Sequence, residues 1–265
     1  AHPVSMLHVL NGKENGAPMI VVDPRFTRTA AHADEYVRIR PGADVGFLWG
    51  LVREIFENGW EDEEYLAQRV YGIEEVRAEV QKWTPEEVER VCGIAPDQTR
   101  KVARMLAENR PGTLIWCMGL TQHTIGSSMT RAASILQLVL GNIGKEGGGA
   151  NIFRGHDNVQ GATDLGVSCE TLPAYYGLSE GAWKHWCRVW GVDYDYMLGR
   201  FASKELMERS GMPLSRYMDA ITENPENLEQ PHPVKAMMFW GHAANSITRG
   251  PDQMRALAEV DLLCV

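Results

Sequence analysis

The chain has 265 residues, of which 44% are hydrophobic, so it can bury a substantial core as one large domain or two smaller ones. Its formal net charge of −9 and its pI near 5.4 argue against binding to nucleic acids or anionic membranes, because both require basic surfaces. No apolar run is long enough to span a bilayer, and the N-terminal residues AHPVSMLHVL lack a basic leader, so no membrane insertion is expected.

The cysteine pattern indicates the compartment. An odd set without a CxxC pair predicts reduced thiols in a cytoplasmic protein, and it excludes an iron–sulfur or zinc site built from locally spaced cysteines. The five residues are Cys92, Cys117, Cys169, Cys187 and Cys264. Both ends of the sequence look cut, since it begins at AHP and stops within the strand-like run VDLLCV. A fragment of a longer protein is therefore expected.

Three short apolar strands are predicted in chain order, at residues 19–22, 113–117 and 236–240. Continuous apolar runs of this length are typical of parallel strands buried on both faces. Each strand is followed by a polar or glycine-rich turn and then a helix, which predicts an α/β fold with αβα layers. Ligands of such sheets bind beyond the carboxyl ends of the strands, so these polar turns are where a cofactor is expected.

Helices are predicted between and after the strands. Apolar periodicity, capping residues and terminal glycines mark helices at residues 44–58, 85–92, 96–109 and 127–140. Thr84 to Glu87 form a capping box for the second of these, and Asp44 can cap the first. Residues 180–230 have weaker periodicity, so short helices and loops are expected there.

Two acidic motifs follow the first strand. In VVDPRFTRT, Asp23 can accept hydrogen bonds from ribose hydroxyls, and Arg25 and Arg28 suit phosphate; a turn with a surface ion pair fits equally well. In IRPGADV, Asp44 can accept two hydrogen bonds from guanine N1–H and N2–H₂, or it can simply cap the following helix.

Two similar turns follow the later strands. MGLTQHTIG combines a close backbone approach at Gly119 with the amide and imidazole of Gln122 and His123. GHAANSITR places Gly241 at a strand end, followed by amide and hydroxyl groups. Taken separately, each also fits an ordinary polar turn.

The most distinctive segment is NIFRGHDNVQGATD, residues 151–164, which is predicted to be a polar loop. Arg154 carries a permanent planar charge that binds a carboxylate through two parallel hydrogen bonds. Gly155 and Gly161 permit backbone conformations or approaches that side chains would block, and His156 adds a polar contact. The alternative is a loop held by an ion pair of Arg154 with Asp157 or Asp164, although exposed pairs stabilise little.

Taken together and in this order, these motifs resemble the catalytic subunits of molybdenum- or tungsten-dependent formate dehydrogenases of the dimethyl sulfoxide reductase superfamily, which bind two molybdopterin guanine dinucleotides. The form GHAANSITRG is most similar to the cytoplasmic, NAD-linked members. The resemblance implies parts of two related dinucleotide-binding domains, residues 1–156 and residues 157–265, both incomplete.

The resemblance also implies roles for individual residues. Arg154 corresponds to the arginine that holds the formate carboxylate, with His156 as a helper in polarity or proton movement. Asp44 corresponds to the acid that recognises a guanine. The other positions that correspond to cofactor-binding residues are Asp23 and Arg25 at a ribose and phosphates, Met118, Gly119 and Gln122 at a pterin, Gly155 beside the arginine, and Gly241, His242, Asn245 and Ser246 at the second dinucleotide.

The implied reaction is the reversible oxidation of formate to carbon dioxide, with two electrons passed through iron–sulfur centres to NAD by iron–sulfur and flavin subunits. In the family pattern the metal ligand, a cysteine or selenocysteine, and the cysteines of a 4Fe–4S cluster lie upstream of Ala1, so no metal ligand is assigned here. Two alternatives stay open: another molybdopterin oxidoreductase, such as a nitrate or polysulfide reductase, and a non-catalytic nucleotide-binding scaffold.

Overall fold

The computed structural model describes residues 2–156, 158–228, 232–240 and 249–265. The chain divides into two compact units, residues 1–157 and residues 158–265. In the first unit the elements are, in chain order, α1 (Ser5–Glu14), β1 (Ile20–Val22), β2 (Glu35–Val37), α2 (Asp44–Glu57), α3 (Glu63–Arg69), α4 (Ile73–Val80), α5 (Pro85–Cys92), α6 (Pro96–Glu108), β3 (Thr113–Trp116), α7 (Met118–Thr121), α8 (Gly126–Val139) and β4 (Gly149–Ile152), with a 3-10 turn at Ala30–His32.

The strands of the first unit form two parallel pairs, as the sequence predicts. Strand β1 pairs with β2, and β3 pairs with β4 in a register that places Trp116 opposite Ile152. The prediction that these strands are buried on both faces is wrong, because Val22 is 43% exposed and Ile115 is 41% exposed. The physical reason is that Val22 and Ile115 line a cavity, so part of each side chain is open to solvent.

Helix α2 is the centre of the first core. It packs against α5, α6 and α8, and Val52 and Ile55 are completely buried in this contact. Burying one such side chain contributes about 1.5–3 kcal/mol. Gly50 lets α2 approach α5 closely, since an added Cβ would lie 2.4 Å from Cγ2 of the buried Val88.

The helix boundaries confirm most of the sequence prediction, with one instructive exception. Thr84 caps α5 by accepting a hydrogen bond from the Glu87 amide, and Gly93 ends the helix. The predicted capping role of Asp44 is wrong: the cap position is Ala43, and Asp44 is the first residue of α2. The turn at Gly42, whose φ is +83°, brings Ala43 into the cap position. The Asp44 side chain therefore lies in the first helical turn.

A buried amide network connects the beginnings of β3 and β4 to α8. The side chain of Gln137 donates to the carbonyl oxygens of Gly112 (3.2 Å) and Gly149 (2.7 Å). Asn142 Nδ2 donates to Gln137 Oε1 at 2.6 Å, and the Gly112 amide donates to Asn142 Oδ1 at 3.2 Å. Gln137 and Asn142 are both buried, so these bonds fix where the two strands start.

The second unit is built mainly from short helices, which confirms the expectation for residues 180–230 as far as they are described. Its elements are α9 (Val159–Asp164), α10 (Glu180–Trp190), α11 (Tyr194–Leu198), α12 (Lys204–Glu208), α13 (Asp219–Thr222), β5 (Ala236–Met238), α14 (Gly250–Glu259) and β6 (Leu262–Cys264), with 3-10 turns at Pro173–Tyr175, Leu214–Arg216 and Pro225–Leu228. Strand β5 pairs in parallel with β6. One small core surrounds Trp183 and Met207, and another surrounds Met218 and Ala256. Within the described residues, no helix combines the length and the apolar character that crossing a bilayer requires.

Candidate functional site

A cavity of about 650 Å³ in the first unit is lined by residues of both β1 and β3. Most of its lining side chains are apolar and come from the two strands and from α2, α6 and α8. Asp23, which follows β1, and Cys117 and Gly119, which follow β3, lie along it, as does Asp44 at the start of α2. Three of the predicted cofactor-binding residues, Asp23, Asp44 and Gly119, therefore line one cavity.

The segment after β1 is a hydrogen-bonded turn. Asp23 Oδ1 accepts a hydrogen bond from the Arg25 amide at 2.7 Å, and the Tyr36 hydroxyl donates to the Asp23 carbonyl at 2.9 Å. Phe26 packs edge-on against the Tyr36 ring, with 5.1 Å between centroids. Arg25 is exposed and Asp23 is half-buried. The turn interpretation therefore holds locally, while contacts with ribose and phosphate stay predictions.

Asp44 is a half-buried acid at the cavity. Burial raises the pKa of the Asp44 carboxyl above its ordinary value, and the backbone amide of Asp44 and the charge of a protonated His123 oppose this shift. The His123 ring is held in turn, since its Nε2 lies 3.0 Å from the Gly119 carbonyl oxygen. His123 thus contacts Gly119 within its own motif and acts electrostatically on Asp44, which belongs to a different motif.

The segment after β3 is a short helix, α7, where the sequence predicted a turn. The Gln122 amide donates to the Met118 carbonyl at 2.8 Å, and the Thr121 hydroxyl donates to the Cys117 carbonyl at 3.3 Å, which closes the helical turn. Met118 and Gln122 are exposed. A Cβ added to Gly119 would meet no protein atom within 4 Å, so the backbone here faces open space.

Arg154 lies two residues beyond the end of β4, beside the end of β3. The Phe153 amide donates to the Trp116 carbonyl at 2.8 Å and extends the pairing of the two strands. His2 Nε2 lies 2.5 Å from the Arg154 carbonyl oxygen, and the His2 ring packs 5.2 Å from the Phe153 ring. Arg154 is half-buried, whereas Gly155 and His156 are exposed.

The predicted loop at residues 151–164 is confirmed for Arg154, Gly155 and His156, which have no regular structure, whereas the predicted segment begins in β4 and ends in α9. Asn158 caps α9 by accepting a hydrogen bond from the Gly161 amide at 3.1 Å. Gly161 is required by this cap, since an added Cβ would lie 2.5 Å from Asn158 Oδ1. Of the acids proposed to pair with Arg154, Asp164 accepts a hydrogen bond from Gln160 at 2.9 Å, and Asp157 lies outside the described residues.

The predicted residues fall into three sets. Asp23, Asp44 and Gly119 line the cavity, with Met118 and Gln122 on the adjoining α7 and Arg25 on the turn after β1. Arg154, Gly155 and His156 follow the neighbouring strand β4. The predicted residues of the second dinucleotide site lie outside the described part of the chain: Gly241, His242, Asn245 and Ser246.

Two residues at this site carry no sequence signal. His2 contacts the Arg154 backbone although the two residues are 152 positions apart in the sequence, so no local motif reveals this contact. Trp116 lines the cavity, and its indole N–H is buried without a hydrogen-bond partner among the described residues. A buried donor of this kind is rare in folded proteins and indicates a position where a ligand or water can accept.

Comparison with known proteins identifies relatives. Residues 1–213 match the molybdopterin oxidoreductase family. Formate dehydrogenase H of Escherichia coli (strain K12) is 37% identical over 194 residues, covering 73% of this chain and 27% of that protein. The F420-dependent formate dehydrogenase subunit alpha of Methanocaldococcus jannaschii is 33% identical over 224 residues, covering 84% of this chain and 33% of that protein.

The chain thus spans between about a quarter and a third of the length of these relatives. Among solved structures, acetylene hydratase from Pelobacter acetylenicus superposes with a TM-score of 0.67 at 21% identity, covering 98% of this chain and 36% of that one. At that identity the likeness concerns the fold alone, and it confirms the predicted α/β class. With four-fifths of its residues matched by the family, the chain belongs to the molybdopterin oxidoreductases.

Proposed function

We propose that this chain is part of the catalytic subunit of a formate dehydrogenase, which oxidises formate reversibly to carbon dioxide at a molybdenum or tungsten centre held by two molybdopterin guanine dinucleotides. The relatives described above are named formate dehydrogenases, which supports the substrate. The structural observation that carries the proposal is the location of Arg154, a half-buried guanidinium-bearing residue at the carboxyl end of β4 and beside the end of β3.

The residues at the strand ends fit such a cofactor. The open space over Gly119 leaves room for a flat ring system, and Trp116 offers a buried donor without a partner among the described residues. Asp44 supplies a desolvated acceptor whose charge a guanine would satisfy through N1–H and N2–H₂. The apolar lining does not suit a phosphorylated ligand, so we propose that the cofactor occupies only the part of the cavity that Asp23, Asp44 and Gly119 line.

Within this proposal the remaining residues have defined tasks. Asp23 and Arg25 hold a ribose and phosphates, while Met118, Gly119 and Gln122 contact the pterin and Gly155 lets it approach Arg154. The domains at residues 1–156 and 157–265 each contribute to one dinucleotide, the second through Gly241, His242, Asn245 and Ser246.

Arg154 would bind formate through two charge-assisted hydrogen bonds and thereby orient its C–H bond. Its positive charge stabilises the carboxylate more strongly in a partly desolvated site than it would in water. The contact of His2 with the Arg154 carbonyl fixes the backbone from which the side chain projects. His156 would assist in moving the proton that the reaction releases. When bound, the metal centre supplies the two-electron acceptor.

The electrons would then pass through iron–sulfur centres, including a 4Fe–4S cluster in the part of the enzyme upstream of this sequence, to NAD by way of iron–sulfur and flavin subunits. The name of one relative describes it as F420-dependent, so NAD and F420 are the two acceptors to compare with the purified enzyme. All five cysteines are free thiols, which supports a cytoplasmic location.

The test is Arg154→Lys in the intact enzyme, because lysine keeps the charge and loses the planar pair of donors. Loss of one charge-assisted hydrogen bond, about 1.5–3 kcal/mol, should lower kcat/KM for formate roughly 10- to 150-fold while metal and pterin contents stay unchanged. Arg104→Lys is the matched control, since Arg104 pairs with Glu108 on the exposed face of α6.

Unchanged formate kinetics in Arg154→Lys would remove this residue from the mechanism. Turnover of nitrate but not of formate by the parent enzyme, measured with a dye acceptor, would replace the proposed substrate.

A further inference from the structure

The end of helix α5 is held by a residue of the turn that precedes α2. The last carbonyl groups of an α-helix have no partner within the helix and need donors from elsewhere. Arg40 Nη1 donates to the Arg90 carbonyl at 2.5 Å and to the Val91 carbonyl at 3.2 Å. The Arg40 amide donates to the Cys92 carbonyl at 3.0 Å. One arginine thus supplies donors to the last three residues of α5, where the helix dipole also favours a positive charge.

The Arg40 guanidinium packs against the glycine that ends α5. Gly93 has a φ of +75°, and a Cβ added to it would lie 3.2 Å from Arg40 Nε and 3.4 Å from Arg40 Cζ. A side chain at position 93 would therefore displace the guanidinium, in addition to the strain of an L residue at this φ. A planar group with several donors reaches two carbonyl groups beside this backbone, so the position suits arginine better than lysine.

The same turn is held a second time by the thiol of Cys92. Cys92 is buried, and its Sγ donates to the Ala43 carbonyl at 3.3 Å. The Ala43 amide donates to the Arg40 carbonyl at 3.2 Å, which closes the turn from residue 40 to residue 43. Ala43 is the cap position of α2, and its side chain makes no capping hydrogen bond. The turn itself therefore sets where α2 begins.

Asp44 follows this turn directly as the first residue of α2. Its half-buried side chain lies where the turn directs it, because the backbone of the turn sets the orientation of the first helical residue. Hydrogen bonds to a guanine edge need donor–acceptor distances of about 2.7–3.2 Å and nearly linear geometry. A small rotation of the turn would carry the carboxylate out of that range.

We propose that Arg40 is a positioning residue for Asp44: by holding the turn against the end of α5, it keeps the carboxylate where it accepts from guanine N1–H and N2–H₂. Arg40 acts through the backbone and does not contact the nucleotide. This role rests on the proposed function, which assigns Asp44 to a guanine. A role confined to capping α5 is the alternative, and the two roles predict different results when Asp44 is changed as well.

The test is the rate at which the intact holoenzyme loses guanine nucleotide after dilution, measured as the GMP that acid hydrolysis releases from the desalted protein. Arg40→Ala should lose it at least about fivefold faster than the parent, because charge-assisted hydrogen bonds no longer hold the turn. Arg40→Lys should fall between the two, since it keeps the charge but not the planar set of donors. Arg90→Ala is the matched control: it removes an exposed arginine that pairs with Glu87 at the same helix end, leaves the Arg90 carbonyl in place, and should behave like the parent.

The decisive measurement repeats Arg40→Ala in the Asp44→Asn variant. If Arg40 acts through Asp44, the change should alter the rate of loss less than about twofold in that background. An undiminished effect there would overturn the proposal, since Arg40 would then act independently of Asp44. Where Arg40→Ala does not fold, Arg40→Gln takes its place in both backgrounds, and loss at the parent rate in that variant would overturn the proposal as well.

The role of Arg40 and the proposed function can fail separately. A parent enzyme that holds no guanine nucleotide would overturn the proposed function and the role of Arg40 with it. A parent that holds guanine nucleotide, together with an Arg40→Ala variant that loses it at the parent rate, would overturn the role of Arg40 alone.

Discussion

The amide network of Gln137 makes a quantitative prediction about the first unit. Replacing Gln137 by Leu keeps the size of the side chain but removes its hydrogen bonds to Gly112, Gly149 and Asn142. The partners stay in a buried environment, since Asn142 is 1% exposed, and water cannot readily replace the lost bonds. The variant should therefore be much less stable than the parent.

The magnitude follows from the number of bonds. Three hydrogen bonds at about 0.5–1.5 kcal/mol each give a loss of roughly 3 kcal/mol in the free energy of unfolding. For a unit of this size, about 2–4 °C per kcal/mol converts the loss to a fall in Tm of roughly 6–12 °C. Calorimetry and urea unfolding of the cofactor-free protein, followed by tryptophan fluorescence, measure both quantities.

Gln68→Leu is the matched control, because it removes an exposed hydrogen bond between Gln68 and Glu64 in α3. Such a pair contributes only about 0.2–0.5 kcal/mol, so the control should barely change the urea midpoint. If Gln137→Leu proves no more destabilising than Gln68→Leu, the network does not fix the starts of β3 and β4, and the reasoning is refuted.

Three further predictions concern the candidate site. Burial raises the pKa of the Asp44 carboxyl, so its contribution to stability is present below the unfolded pKa and is lost as pH rises through the folded pKa; Asp44→Asn should therefore keep or raise the urea midpoint of the cofactor-free protein at pH 7. Asp44→Asn should also weaken guanine dinucleotide retention at least about tenfold, because a charge-assisted hydrogen bond is lost. Full retention would leave Asp44 without a recognition role. Gly119→Val should leave Tm within about 2 °C, because its Cβ would meet open space, yet lower the metal content of the purified enzyme; undiminished metal would exclude the pterin from this surface. Burial raises the pKa of the Cys92 thiol to about 11, so iodoacetamide at pH 8 should label the exposed Cys169 at least 100-fold faster than Cys92. Mass spectrometry measures the two labelling rates, and equal rates would show that the core opens readily.

Much of the fold was predictable because its determinants are local. Continuous apolar runs gave the positions of β1, β3 and β5 to within a residue or two, and the capping box at Thr84 gave the start of α5. Local signals were insufficient where moving a helix start by one residue changes the role of a side chain. The φ of +83° at Gly42 moves Asp44 from the cap position into the first turn, and composition alone does not reveal that angle.

The site was predictable as an order of motifs but not as a set of contacts. Residues 151–164 looked like a loop because they are rich in glycine and amides, yet Asn158 uses its amide to begin a helix. The exposure of β1 and β3 depends on the cavity that they line, which their own residues do not encode. The proximity of His123 to Asp44 depends equally on tertiary packing.

The contact between His2 and Arg154 bears on the order of events during folding. Closing a loop of 152 residues costs conformational entropy that local contacts do not incur, so this contact should form after the helices around α2 have assembled. A partly folded molecule would have a formed hydrophobic core but an arginine whose backbone is still unanchored. Ordering of the backbone at Arg154 is therefore a late step, which the formation of secondary structure alone does not complete.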